Sequence, residues 1–247
     1  MPAAQTIDEV IAQLDAIIAA CRARKSRLGY FPALYRKVTI RVKEGIARGN
    51  FEDGARMERL DVIFANRYLA AWDTHQRGAT PSQAWLVAFN AAKSPFRIVL
   101  QHLLLGMNAH INLDLGIAAA QTAPGGALPS LQNDFNAING VLASLVDEVR
   151  TELQYIWKPL KSLARLSFGL ENYLINFSME TARSHAWGIA EKLAPLTDQA
   201  AIIHETDQST TLLAEVIRNP PPLTRLNTLL IRLCEMKSVP AIIDTLI

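Results

Sequence analysis

The chain has little of what marks several large protein classes. Two cysteines, Cys21 and Cys234, stand among 247 residues, too few for a disulfide framework or a thiolate zinc site. Charged side chains are also sparse, at 19 %. The 25 basic and 23 acidic residues are intermingled and leave a formal charge of +2, so there is no basic footprint for nucleic acid. The N-terminus, Met1 to Val10, lacks the basic segment and apolar core of an export signal. The most apolar run, Ile98 to Leu105, is too short to cross a bilayer. The expectation is a cytoplasmic protein with no nucleic-acid partner and no membrane span.

Motifs are missing as well. There is no Gly-x-Gly-x-x-Gly or P-loop, no His-Glu-x-x-His helix and no Gly-x-Ser-x-Gly elbow, which disfavours ordinary nucleotide binding and serine-triad hydrolysis. No segment alternates like a strand between hairpin turns, and no internal repeat is visible.

What remains is a chain that is 50 % hydrophobic, with apolar residues at helical spacing. Thr6 and Glu9 form a capping box before Ile7, Val10, Ile11, Leu14, Ile17 and Ile18, and Gly29 ends that helix. Further helices are expected over Pro32–Ala47 and Gly54–Thr74, from Thr80-Pro81, and from Ser94-Pro95 to just before Pro124. Others cover Ser130–Trp157 and Gly169–Leu193, with weaker segments at Asp198–Asn219, Leu223–Met236 and Pro240–Ile247. The prediction is an all-α fold, one globular domain of about eight to ten helices over 1–247. Residues 220–247 form a helical extension docked on the same core. An exposed leucine face on Leu223–Leu233 would support a homodimer.

The stretch from Leu103 to Gly116 is the most informative. It sets Asn108, His110, Asn112 and Asp114 in an apolar run, where polar groups are costly unless paired. On a regular helix His102, Gly106, His110 and Asp114 share a face, with Gly106 leaving open space between the imidazoles. His102 and His110 are about 12 Å apart along such a helix, at ~1.5 Å per residue, so they do not bind one ion together. His110 with Asp114 is the tighter metal pair, completed from other helices by His185 or Asp61, and the ion would be Zn, Fe, Mn or Ni. Three readings stay open: a structural polar network, a catalytic or ligand pocket without metal, and a divalent metal centre.

Other candidates are fewer. Arg183 shares a broad face with Asn172, Asn176 and Glu180 and is placed to clamp a carboxylate or pair with a buried acid. Tyr35, Arg36, Thr39 and Lys43 read as a solvated face of the second helix. Asp134 favours the positive end of its own helix.

The run Gly106-Met107-Asn108-Ala109-His110-Ile111-Asn112-Leu113-Asp114-Leu115 resembles the signature of a largely bacterial family of unassigned function. The resemblance extends over Leu34–Thr39, Asp61–Leu69, Asp134-Phe135 with Asn139, and Arg183 with Ala186-Trp187. It implies a helical domain in which Asp61, Asn108, His110, Asn112, Asp114 and Arg183 are the residues of interest.

The leading expectation is a small-molecule enzyme, a hydrolase or lyase, acting on an apolar or amphipathic metabolite between helices. His110 would be the general acid or base, held in one tautomer by Asp114. Asn108 and Asn112 would orient the substrate, Arg183 would stabilise negative charge, and Leu103, Met107, Phe64 and Trp187 would form the apolar wall. The alternatives are a non-enzymatic binder of a small molecule and a structural or interaction protein.

Overall fold

Helix starts leave backbone N–H groups without intrahelical partners, and this chain satisfies them partly through acids from distant segments. The computed structural model describes residues 1–157 and 179–247. Local caps serve α1 (Ile7–Ala23), where Thr6 accepts from the Glu9 N–H, and α3 (Gly54–Gln76), where Asp53 accepts from Arg56. Between them lies α2 (Tyr30–Ala47). The start of α4 (Gln83–Ala91) is capped from afar: the N–H groups of Gln83 and Ala84 donate to Asp207 at 2.8 and 2.9 Å. Asp207 belongs to α9 (Ala200–Arg218).

The same device opens the central element. The Val99 N–H donates to Glu235 at 2.9 Å, starting α5 (Val99–Asn108). The chain then widens into a π-helix over Ala109–Leu115 and continues as α6 (Gly116–Thr122). This 24-residue rod is long and apolar enough to cross a membrane, but other parts of the protein bury 94 % of its most apolar window, the position of a core helix. Around the rod pack α2, α3, α4, α9 and α8 (Met179–Leu193). The long α7 (Gln132–Ile156) follows a 3-10 segment at Gly125–Leu131.

After the triple proline come α10 (Pro222–Cys234) and α11 (Val239–Leu246). Glu235 also accepts from Trp157 Nε1 at 2.9 Å, and Arg22 pairs with Asp244 at 2.6 Å. Leu223, Leu226, Leu229, Leu230 and Leu233 of α10 are exposed. The protein is one all-α domain, with no strand among the described residues. Of the expected helix over Gly169–Leu193, the part before Met179 lies outside the described residues, as do Asn172 and Asn176.

Several expected boundaries shift. The first helix stops at Ala23, and a short 3-10 turn, Arg27–Gly29, leads directly into α2. The fourth and fifth helices begin at Gln83 and Val99, a few residues after their prolines. Asp134 does not serve its own helix alone. Its buried carboxylate accepts from the N–H groups of Glu52 and Asp53 at 2.6 and 3.1 Å and from Arg56 at 2.7 Å, tying α7 to the approach to α3.

The rod meets α8 at Gly116. A Cβ there would lie 2.6 Å from the Ala186 carbonyl oxygen and 2.9 Å from Ile189 Cβ, so only glycine allows this approach. Gly116→Ala should cost about 1–3 kcal/mol through overpacking against backbone, read as a lower midpoint in urea unfolding.

Candidate functional site

The π-helix carries the polar stretch into the protein's interior, and helices with such widened turns occur often at functional sites. Asp114 is clasped on both oxygens. Arg67 Nε of α3 donates to Oδ1 at 2.7 Å, and Trp85 Nε1 of α4 donates to Oδ2 at 2.8 Å. His110 Nδ1 stands 3.7 Å from Oδ2, beyond hydrogen-bond range. Asp114 thus meets His110 at longer range than the expected tautomer-fixing bond, with its lone pairs directed mainly at Arg67 and Trp85.

His110 lies instead in an aromatic box. Its ring stacks on Phe64 with centroids 3.5 Å apart and planes at 10°, and Tyr35 meets it edge-on at 4.4 Å. Phe31, Trp85 and Tyr68 complete the enclosure at 5.7, 6.1 and 6.4 Å. Phe31 with Tyr35 on α2, and Phe64 with Tyr68 on α3, are i,i+4 pairs that each present one aromatic face. Neither nitrogen of His110 has a hydrogen-bond partner, and the same holds for the Tyr35 and Tyr68 hydroxyls. The solvated face expected for α2 is thus only half correct. Arg36 and Lys43 pair with Asp15 and Asp8 at the surface, whereas Tyr35 and Thr39 are buried.

The other candidates go elsewhere. Asn112 Nδ2 donates to Asn108 Oδ1, and Asn108 Nδ2 to the Thr210 carbonyl, both at 2.9 Å, which ties the rod to α9. Arg183 joins α8 to α7. It donates to Asn139 Oδ1 at 2.6 Å and to the Phe135 carbonyl, and its guanidinium lies 4.4 Å over the Phe135 ring. Trp187 packs tilted against the same Phe135 at 5.0 Å, so its ring belongs to that cluster and not to a wall beside His110. Burial lowers the Arg183 pKa to about 10.

The metal set is not assembled. His185 is exposed on α8, Asp114 is taken up by Arg67 and Trp85, and among the described residues no three His, Cys, Asp or Glu side chains gather to hold an ion. Asp61 is buried on α3 one turn before Phe64, with Oδ2 unpartnered. The open space expected at Gly106 is filled by the Phe31 ring, which lies closer than a Cβ there would allow. His102 is buried beside Tyr30 at 5.6 Å, its Nε2 also unpartnered.

Arg67, Trp85, Tyr68 and Phe31 carry the site without having been singled out by sequence, and Tyr35 was expected on a solvated face. Two signals pointed to them. A buried tryptophan needs an acceptor for its N–H, and aromatic pairs at i,i+4 recur on two consecutive helices.

Residues 7–220 match a family of unknown function (DUF5995). The chain belongs to that family. No curated protein and no solved structure matches it. In this member of the family, most of the blocks that carry the resemblance meet at the rod: Tyr35, Asp61, Phe64, Tyr68, His110 and Asp114 lie in or beside the box, while Arg183 and Asn139 form the separate α7–α8 cluster.

Burial sets the protonation states. It lowers the His110 pKa, with the nearby Asp114 opposing through its contact with the ring and its charge, and Arg67 adding to the shift. Burial and then Arg27, Arg97 and Arg232 bring His102 down to about 3. Burial and then Glu58 raise Asp61 from 3.8 to about 7. Burial thus favours neutral imidazoles at neutral pH and keeps Asp61 protonated well above the usual carboxylate range. A carboxyl with a raised folded-state pKa favours folding most fully below its unfolded value and loses that contribution as pH rises through the folded one. For Asp61 this window runs from 3.8 to about 7. Asp61→Asn should therefore gain stability relative to the parent at about pH 8 and show no such gain at about pH 4. Denaturant unfolding at the two pH values checks this.

Proposed function

We propose that this protein is an enzyme acting on a small molecule held against His110, with the neutral imidazole as general base. The observation that carries this reading is the set of four buried polar atoms in the box that lack a partner at ordinary hydrogen-bond distance: the Tyr35 and Tyr68 hydroxyls and both nitrogens of His110, the nearest to Nδ1 being Asp114 Oδ2 at 3.7 Å. Each buried polar atom left without a partner costs about 1–3 kcal/mol. A core selected only for packing would place apolar rings there. A ligand with its own donors and acceptors offsets the cost.

The pKa shifts fit such a role. A base works best when uncharged at the working pH, and an acid when still protonated. Burial moves His110 and Asp61 in those two directions. Tyr35 meets the His110 ring edge-on and lies within the electrostatic reach of Asp61, which suits a hydroxyl that relays between the two. Proton transfer of this kind suits hydrolysis or a lyase-type elimination. Asp114 takes a different part from the one its spacing suggested: with Arg67 and Trp85 it fixes the rod on which His110 stands.

A purely architectural role is favoured by a different observation. The Asn112–Asn108–Thr210 chain and the Asp114 clasp are well bonded and link elements of the fold. The two readings diverge for His110→Phe, which keeps a stacked ring and removes both nitrogens. If the imidazole is retained for chemistry, the variant should be more stable than the parent by about 1 kcal/mol or more. It should also lose any thermal stabilisation that a metabolite library confers on the parent. A variant less stable than the parent would establish the architectural role. Urea unfolding and thermal-shift screening read the two effects.

A further inference from the structure

An amphipathic helix on a globular core turns its apolar stripe inward. In α10 the order is reversed: Thr228 and Ile231 are buried, while Leu223, Leu226, Leu229, Leu230 and Leu233 are exposed. At ~3.6 residues per turn these leucines fall within roughly a third of the helix circumference. Leu223 and Leu233 are 75 % and 74 % exposed. On α9, which the prolines join to α10, Leu212 and Val216 are exposed one turn apart. Phe96, 70 % exposed, follows Pro95, whose carbonyl accepts from Arg232 Nε of α10 at 2.7 Å. An outward apolar stripe of this kind marks an interaction surface.

The charges beside the stripe are mostly of one sign. No Asp or Glu occurs from Asn219 to Cys234. Arg225 and Arg232, two turns apart, line the edge of the stripe next to Leu229. Arg232 is committed to Pro95 and to Glu235 at 3.4 Å. Burial and then Arg218 lower the Arg97 pKa, Glu215 opposes and Arg225 adds to the shift, so three guanidiniums share one field around a single acid. That acid, Glu215, pairs with Arg218 at 2.6 Å. Arg97 Nε and Arg218 Nε are buried without a hydrogen-bond partner. Like charges held together with donors to spare favour an anion. Glu205 of α9 is exposed two turns before Leu212.

A second copy of this chain matches the stripe poorly. A two-fold contact brings a patch onto itself, so arginine edges would meet with no acid between them. A lipid surface with anionic headgroups meets both needs, hydrocarbon for the leucines and negative charge for the guanidiniums. We propose that α9 and α10 dock this protein on an anionic phospholipid surface, along it and not across it, with the α10 leucines at the acyl boundary and Arg97, Arg218 and Arg225 on the headgroups. The proposal is independent of the reading of His110.

The test is co-sedimentation of the full chain with vesicles of phosphatidylcholine alone and of phosphatidylcholine with about one-third phosphatidylserine. The mixed vesicles should bind about tenfold more tightly or better, and raising sodium chloride from about 0.05 to about 0.5 M should weaken that binding. Leu223→Ser with Leu233→Ser, and separately Arg225→Glu, should each weaken it by about tenfold or more. Urea midpoints should stay unchanged, because these side chains are exposed. Equal affinity for the two vesicle types overturns the proposal, and that comparison needs no variant. Full binding by the leucine variant also overturns it, since headgroup contact alone would then suffice. A dimer in sedimentation equilibrium that the leucine variant dissolves, with no vesicle binding by the parent, overturns it in favour of a second copy.

Discussion

Asp114 is a carboxylate buried at the centre of the protein, and the surrounding helices are arranged to satisfy it. A buried charge is tolerated only when its partners are close and well aligned; stripping one partner from such a pair costs about 3–5 kcal/mol. Arg67 and Trp85 meet that demand from two different helices. The clasp draws α3 and α4 onto one side of the rod, brings the aromatic faces of α2 and α3 around His110, and leaves the asparagine pair to hold α9. The π-helix lies in this region, so its departure from regular geometry comes where the rod has most to satisfy.

Much of this was legible in the chain before any coordinates. Helical faces such as Ile7–Val10–Leu14–Ile17–Ile18 reappear as buried surface, and the polar stretch in an apolar run marked the heart of the protein. The boundaries that moved have a common cause. Thr80-Pro81 and Ser94-Pro95 look like helix starts because local caps are what a linear reading can see. The caps in use are Asp207 and Glu235, more than a hundred residues away. Long-range partners have no periodicity to reveal them.

The candidate site followed the same rule. Spacing identified His110 and Asp114 as neighbours but could not show that Arg67 and Trp85 outcompete the imidazole for the carboxylate. Nor could it show that Phe31 fills the gap at Gly106. Arg183 and His185, two residues apart on one helix, part company for a simple reason: one faces α7 and the other faces outward. The polar groups of the core consequently fall into two populations. Those that join helices are bonded to one another, and those around His110 are not.

Glu235 carries a consequence for the order in which the molecule is made. The rod is complete in sequence by Thr122, yet its first turn is closed by a side chain that follows it by more than a hundred residues. The same carboxylate receives Trp157 at the end of α7. During synthesis the rod must wait, with its apolar surface assembled but its leading N–H uncapped, until Glu235 has left the ribosome. Contacts spanning such distances slow folding, so the final consolidation of this core comes only after the segment that carries Glu235 has been made.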